Sequence, residues 1–253
     1  MNTRLSPAGS MLRDWRSQRR HSQLDLATRA NVSTKHLSYV ETGRAKPSPE
    51  MILHLCQHLD VPLRDRNTIL LAAGYAPRYR DTPLDQTDAD DLHQLVELVI
   101  SEHRFPTVVV DAQWNLVAAN PAAAIFTEHV AAELLTPPTN VIRLSLHPNG
   151  LAPHVVNFTA YATHIINRLR RTIDHHPDDT LQSLLDEFGH LAATDATQHP
   201  GVLLPLELTT ARGVISMFST ITTFGAPHDV TLSELAVETF YPADDHSRRL
   251  LAR

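Results

Sequence analysis

Apolar residues recur three and four positions apart in five short stretches of the first 75 residues. This spacing places them on one face of a helix, and the serines that precede three of the stretches suit helix N-termini. Glycines follow the third and fifth stretches, as they do at many helix ends. The pattern predicts five helices, at Gly9–Arg20, Gln23–Ala30, Thr34–Thr42, Pro49–Leu59 and from Pro62 or Leu63 to just before Gly74.

The helical pattern stops after residue 75, where two prolines, a glycine and a growing acidic run indicate a linker at about 76–88. A connecting helix is predicted at Asp88–His103, because its leucines and valines lie on one face. The chain therefore divides into a helical domain at 1–79, a linker with the connecting helix at 80–104, a second domain at 105–245 and a C-terminal tail at 246–253.

The second domain combines strand-like apolar runs with helical patterns. Two short runs that flank Gln113-Trp114 predict a hairpin. Five strands, with helices between the second and third, predict an α+β domain in which an antiparallel sheet carries helices on one face. The predicted strands are Pro106–Asp111, Leu116–Ala119, Val202–Thr210, Val214–Thr223 and Leu235–Tyr241, and the helices are Asn120–His129, Pro153–Asp174 and Asp178–Leu191.

The charges are distributed unevenly along the chain. Residues 1–80 hold 13 Lys and Arg against 6 Asp and Glu, whereas the remainder holds 9 basic and 22 acidic residues. A basic first third favours contact with a polyanion such as double-stranded DNA, and we expect the acidic remainder to face away from it.

Several classes of protein are excluded or disfavoured by what the sequence lacks. The single cysteine, Cys56, excludes an internal disulfide and a cysteine-based metal cluster. No apolar run reaches the roughly 18 residues of a membrane span, and the N-terminus lacks the pattern of a signal peptide. We expect a cytoplasmic protein that does not bind membranes.

The second and third predicted helices form a helix-turn-helix unit, because they are short and joined by a tight turn. The second helix of such a unit lies in the major groove, and its outer face must be polar to meet base edges. Basic residues just beyond it suit phosphates, as does a polar residue at the start of the preceding helix. The predicted base-reading residues are Thr34, Lys35, Ser38 and Tyr39, and the predicted phosphate contacts are Gln23, Arg44 and Lys46.

The stretch SQLDLATRANVSTKHLSYVETGRAKPS, residues 22–48, resembles the lambda-repressor-like (XRE) family of helix-turn-helix regulators. The resemblance covers about residues 5–75, and the matching features are Gln23, Ala27, Val32-Ser33, Leu37, Val40-Glu41, Gly43 and Pro47-Ser48. It implies an all-α DNA-binding domain that pairs into a homodimer on a (pseudo)palindromic operator.

The second domain shows no catalytic motif. The only lysines, Lys35 and Lys46, lie in the first domain, which excludes a Ser–Lys peptidase and an enzyme that depends on pyridoxal phosphate. Glycine-rich nucleotide loops and a Gly-x-Ser-x-Gly elbow are absent. The sixteen histidines include no His-Glu-x-x-His pattern, and we predict no metal site; a haem on a lone histidine stays open.

The second domain also resembles a known family. Several pieces occur in the order found in MmyB-like transcription regulators, over about residues 105–245: FPTVVVDAQWNLVAANPAA, NVIRLSLHPNG, NRLRR with HHPDD, HPGVLLPLEL and ELAVETFYPADD. The resemblance implies a bacterial regulator with a PAS-like fold that binds an apolar, possibly fatty-acid-like small molecule and no other cofactor. At the start of the long helix the chain has Asn157-Phe158, where many family members have tryptophan.

A cleft between the sheet and its helices is the expected ligand pocket. Arginines are candidate partners for an acyl carboxylate, since the guanidinium fork suits that group. The predicted lining residues are Val109, Phe126, Leu144, Phe158, Tyr161, Ile165, Leu204, Leu206, Met217 and Ile221, and the candidate arginines are Arg143, Arg170 and Arg171.

Two other hypotheses stay open for the second domain. It could bind a protein partner instead of a small molecule, in which case no deep pocket is expected. It could also be a DNA-tethered enzyme, which requires convergent polar groups with perturbed protonation. We favour the small-molecule sensor and predict no catalytic residue.

Overall fold

The computed structural model describes residues 7–84, 90–175, 177–193 and 203–252. The chain forms two compact units. Unit 1 comprises Met1–Gln86 and Ala226–Ser233, and unit 2 comprises Thr87–Gly225 and Glu234–Arg253. The proposed division at 80–104 partly falls on residues 85–89, which lie outside the described residues, as do Val202 and the last residue of the predicted tail.

Unit 1 contains the five predicted helices. Ser22, Ser33 and Ser48 cap the second, third and fourth helices by accepting hydrogen bonds from backbone N–H groups three positions later. The apolar faces of the helices meet in one core, in which Leu26, Val40 and Ile52 have no exposed surface. The helices are α1 (Pro7–Gln18), α2 (Gln23–Arg29), α3 (Thr34–Glu41), α4 (Pro49–His58) and α5 (Leu63–Ala72).

A buried carboxylate joins the first three helices. Glu41 is fully buried at the end of α3, and both of its oxygens accept hydrogen bonds from Arg16, at 2.7 and 2.9 Å. The side chain of Gln23 donates to the same carboxylate at 2.7 Å. A bidentate arginine with a further amide donor compensates the cost of burying the charge.

The only cysteine, Cys56, is buried in the same core. Burial raises the pKa of its thiol to about 12, so the thiol is protonated at neutral pH.

Unit 2 is built on a five-stranded antiparallel sheet of order β2-β1-β5-β4-β3, which confirms the predicted sheet. Its strands are β1 (Thr107–Val110), β2 (Leu116–Ala119), β3 (Leu206–Thr210), β4 (Gly213–Thr223) and β5 (Ala236–Pro242). Its helices are α6 (Asp90–Ser101), α7 (Val141–Leu146), α8 (Phe158–His175), α9 (Asp179–Phe188) and α11 (Asp245–Leu251). The short α10 (Val230–Glu234), between β4 and β5, belongs to unit 1 except for its last residue.

The structure of unit 2 differs from the sequence predictions at two helices and adds two helices that were not predicted. The helix expected from Asn120 is a 3-10 helix at Pro121–Phe126. The long helix begins at Phe158, because the side chain of Asn157 is bonded to the backbone of Pro205 and Glu207 in the strand region. The expected tail forms α11, capped by Asp244. Helix α7 was not predicted, although the side chain of Asn140 caps it.

The connection between β4 and β5 belongs to unit 1 in part. Residues 226–233 pair with the chain that follows α5, where Val230 N–H donates to the Arg80 carbonyl at 2.7 Å. The hydroxyl of Thr82 donates to Asp229 at 2.6 Å. Thr231 donates to the Thr82 carbonyl at 2.8 Å. The chain therefore leaves unit 2 after β4, forms part of unit 1, and returns to begin β5.

The described ranges contain neither a membrane-spanning helix nor a cluster of metal ligands. No helix among the described residues is long and apolar enough to cross a membrane. No group of three or more His, Cys, Asp or Glu side chains in the same ranges could hold a metal ion.

Candidate DNA-binding surface and ligand cavity

The turn between α2 and α3 orients the third helix outward. Asn31 adopts a left-handed φ of 51° in this turn, and the Val32 N–H donates to the Ala27 carbonyl at 2.9 Å. Leu37 and Val40 point into the core of unit 1. The four predicted base-reading residues on α3 are all at least partly exposed: Thr34, Lys35, Ser38 and Tyr39.

Cations surround the ring of Tyr39 on this face. The ammonium of Lys35 and the guanidinium of Arg44 each lie 5.8 Å from the ring centre. Lys46 lies 4.7 Å from the centre of the Tyr75 ring. These exposed cations form a polar, positively charged surface, which is the composition that contacts with DNA require.

The side chain of Gln23 is not directed outward, as a phosphate contact would require. Its side-chain amide donates to the buried Glu41, so that the side chain is held against the core. Its helix N-terminus is nevertheless at the surface, and backbone N–H groups at such ends are suited to phosphate.

A cavity of about 150 Å³ lies in unit 2 between the sheet, α7 and α8. Most of its wall is apolar. The lining side chains are Val108, Trp114, Leu116, Ala119, Ala123, Phe126, Thr127, Val141, Ile142, Leu144, Ser145, Leu151, Tyr161, His164, Ile165, Arg168, Leu169, Leu204, Leu206, Met217, Ser219, Glu238 and Phe240.

Polar groups from α8 and β5 meet in this wall. The guanidinium carbon of Arg168 lies 4.1 Å from the centre of the Trp114 ring. Its Nη1 atom is 3.8 Å from Oε1 of Glu238, which is longer than a direct hydrogen bond. The hydroxyl of Ser145 interacts with that of Tyr161 beside them.

Burial shifts the pKa values of these groups. Burial lowers the pKa of Arg168, and the Glu238 carboxylate offsets part of the shift. Burial, with Glu238 nearby, raises the pKa of the Tyr161 hydroxyl. Burial and the neighbouring Arg168 and Arg171 lower the pKa of His164, so its imidazole is neutral at pH 7.

The β1–β2 turn places Trp114 in the cavity wall at a cost in backbone strain. Trp114 has a φ of 66°, a left-handed conformation that bulky residues rarely adopt. The Asp111 carboxylate accepts hydrogen bonds from the N–H groups of Gln113 and Asn115 at 2.9 and 2.8 Å and closes the turn. Beyond it, Gln113 donates to Asp178 at 3.0 Å.

Most predicted lining residues meet in the cavity wall: Phe126, Leu144, Tyr161, Ile165, Leu204, Leu206 and Met217. Val109 is fully buried on the opposite face of the sheet, because alternate residues of a strand point to opposite sides. Phe158 packs in the core, and Ile221 is 42% exposed.

The candidate arginines do not line the cavity. Arg143 pairs with Glu187 at 2.7 Å, and Arg170 is exposed and bonded to Asn167. Arg171 is exposed as well. The arginine in the cavity wall is Arg168, which the prediction missed. Its spacing was the available signal, since it follows Tyr161 by seven positions and Ile165 by three and so shares their helix face.

Models of known families match both the N-terminal and the C-terminal part of the chain. Residues 92–253 match the model of the MmyB-like transcription regulator ligand binding domain. The chain belongs to this family. Residues 8–69 match a helix-turn-helix domain. The MmyB-like domain is an α+β, PAS-like domain with an antiparallel five-stranded sheet, and the architecture is that of a DNA-binding transcription regulator.

Other comparisons found little. No curated protein matches the chain. The solved structure of an RNA-binding light-oxygen-voltage receptor is similar at 14% identity and a TM-score of 0.29. The alignment covers 98% of the MmyB-like regulator and 62% of that receptor, so the chain spans less than two thirds of its length.

Proposed function

We propose that the protein is a bacterial, cytoplasmic one-component regulator that binds a (pseudo)palindromic operator as a homodimer and responds to an apolar small molecule. The observation that carries this proposal is the cavity of unit 2, in a chain whose other unit is a helix-turn-helix domain. We propose that the regulator is not an enzyme.

The size of the cavity limits the ligand. A cavity of about 150 Å³ is close to the size that holds benzene in other apolar protein interiors. A chain of about six carbons is of a size to fill this volume, and the rest of a longer chain must lie outside it. We therefore propose short acyl-like molecules as the ligand class.

The ligand acts on DNA binding only through a difference in its affinity for two states of the protein. We propose the β4–β5 connection as the route. β4 and β5 supply Met217, Ser219 and Glu238 to the cavity wall. The connection between these strands is bonded to residues 80–82, which follow the DNA-binding helices.

The first test is native mass spectrometry of the purified full-length protein, followed by thermal shift with six- to ten-carbon alcohols, amides and acids. We expect a bound small molecule or a rise in melting temperature. Ala123→Leu, which fills the cavity, should abolish the effect. Ala124→Leu is the matched control, because Ala124 is exposed and does not line the cavity.

An apo mass together with no shift from any compound would contradict the sensor. A protein that co-purifies stoichiometrically would then favour a protein-binding role for unit 2.

A further inference from the structure

We propose that the cavity selects ligands whose head group is uncharged and both donates and accepts hydrogen bonds, with a primary amide as the simplest example, over carboxylates and amines of equal length. This inference rests on the proposed sensor function and deepens it by naming the head-group chemistry. It is carried by the pair of opposite charges in the cavity wall.

The two charges face the cavity from opposite layers. Arg168 projects from α8 and Glu238 from β5, and their side chains are 28% and 12% exposed. Their nearest N and O atoms are 3.8 Å apart. A direct hydrogen bond requires about 2.7–3.2 Å, so the guanidinium keeps donors and the carboxylate keeps acceptors for a third group.

The charge balance of the wall disfavours an ionic ligand. Arg168 and Glu238 are the only Arg, Lys, Asp or Glu side chains among the described residues that line the cavity. Their charges cancel. A ligand carboxylate would compete with Glu238 for the Arg168 guanidinium and would place a second negative charge beside Glu238. A ligand ammonium would compete with Arg168 for the Glu238 carboxylate and would place a second positive charge beside Arg168.

The other titratable groups in the wall itself carry no charge at pH 7. Burial lowers the pKa of the His164 imidazole and raises that of the Tyr161 hydroxyl, so both are neutral at pH 7. Ser145 and Ser219 add uncharged hydroxyls from α7 and β4. Arg171 acts on Arg168 through its charge but does not line the cavity.

A primary amide complements both charges without adding one. Its carbonyl oxygen can accept from Arg168 while its N–H group donates to Glu238, so that it replaces the loose ion pair with two charge-assisted hydrogen bonds. An alcohol offers only one heavy atom for these two roles. The apolar part of the cavity then takes the carbon chain.

The experiment is isothermal titration calorimetry of the full-length protein with hexanamide, hexanoate and hexylamine at pH 7.5. We expect hexanamide to bind at least about tenfold more tightly than either charged probe, because a charged head group loses its hydration on entering a wall whose two charges cancel. This comparison uses the unaltered protein and so does not depend on the folding of a variant.

Two variants then assign the preference to the pair. Glu238→Gln removes the negative charge at constant shape, and we expect hexanoate to gain at least about tenfold relative to hexanamide. Arg168→Gln should shift the preference toward hexylamine. Glu187→Gln and Arg143→Gln are matched controls, because that pair lies outside the cavity wall and should leave the preference unchanged.

The outcomes separate the two proposals. Tighter binding of hexanoate or hexylamine than hexanamide to the unaltered protein would overturn the head-group inference and leave the sensor in place. An unchanged preference in Glu238→Gln would overturn it as well. Failure of all three probes to bind would also overturn the head-group inference, whereas the sensor proposal falls only if the native mass is apo and no compound of the six- to ten-carbon panel gives a shift.

Discussion

The guanidinium of Arg168 lies over the indole ring of Trp114, with the guanidinium carbon 4.1 Å from the ring centre. This contact joins α8 to the β1–β2 turn and fixes one wall of the cavity. The same guanidinium is 3.8 Å from the Glu238 carboxylate, so one side chain meets both the indole and the acidic group of the wall.

The strained backbone of Trp114 gives a test of this turn. Trp114→Ala and Trp114→Gly both remove the contact with Arg168, but only the alanine keeps the penalty of a left-handed φ. We expect the glycine variant to be more stable by about 1 kcal/mol, and both to be less stable than the unaltered protein by about 1–3 kcal/mol. Urea unfolding of the full chain measures both differences. A more stable alanine variant would show that the turn does not hold residue 114 in this conformation.

Asp178 caps α9 and accepts a hydrogen bond from Gln113 in the β1–β2 turn, so its ionisation makes the stability of the fold depend on pH. Burial opposes ionisation of Asp178, but hydrogen bonds from Gln113, Leu181 and Thr180 outweigh it and lower its pKa. A lowered folded-state pKa stabilises the fold above the unfolded value, and that contribution disappears as the pH falls through the folded value.

We therefore expect Asp178→Ala to cost about 1 kcal/mol at pH 7. The difference from the unaltered protein should begin to shrink below about pH 4, the usual range of an unfolded aspartate, and shrink further as the pH falls through the lowered pKa of the folded state. Thermal melts between pH 3 and pH 7 check this, with Asp179→Ala as the control one position away. A difference that does not change with pH would assign the loss to packing instead of charge.

The buried network at Glu41 predicts a large loss of stability in the DNA-binding unit. Glu41→Ala leaves Arg16, whose side chain is 12% exposed, without its carboxylate, and we expect a loss of about 3–5 kcal/mol. Arg64→Ala breaks a pair whose side chains are about half exposed and should cost about 1 kcal/mol or less. Urea unfolding followed by circular dichroism compares the two. Equal losses would mean that burial does not set the strength of these pairs.

The exposed face of α3 predicts two kinds of DNA-binding variant. Lys35→Ala and Ser38→Ala should lose sequence preference by about 1–3 kcal/mol for each lost base contact. Arg44→Ala should weaken binding to every sequence and reduce the slope of log affinity against log salt concentration by about 1. Fluorescence anisotropy on a selected operator and on random DNA at several salt concentrations measures both. Equal losses on the two DNAs for Lys35→Ala would contradict its base-reading role.

If the hydrogen bond between Thr82 and Asp229 transmits the signal, a variant without it should still bind DNA and the small molecule, but binding of one should affect binding of the other less. Asp229→Ala removes the acceptor of this 2.6 Å bond. We expect the effect of the small molecule on DNA affinity to fall by about 0.5 kcal/mol or more, while each ligand binds alone as before. DNA titrations with and without the small molecule give the coupling. Glu133→Ala, at an exposed position, is the control, and unchanged coupling in Asp229→Ala would exclude this route.

The sequence predicted the DNA-binding unit closely because its signals are local. Ser22, Ser33 and Ser48 mark helix starts whatever the rest of the fold does. The cavity was harder to predict, because its wall depends on which face each side chain takes. Val108 and Val109 are the same residue type in the same strand, and only the sheet decides that Val108 lines the cavity and Val109 does not. Arg168 was overlooked in favour of Arg170, although the helix spacing separates them. The inward turn of Gln23 depends on Glu41, eighteen positions later, and no local pattern reports it.

The return of residues 226–233 to unit 1 limits how this architecture can be recombined in evolution or by engineering. A gene fusion that joins only the sensor to a foreign helix-turn-helix domain separates Asp229 and Thr231 from Thr82 and its neighbours. A chimera must therefore carry residues 80–82 along with the sensor, and the useful crossover point lies upstream of Arg80 instead of within the acidic linker.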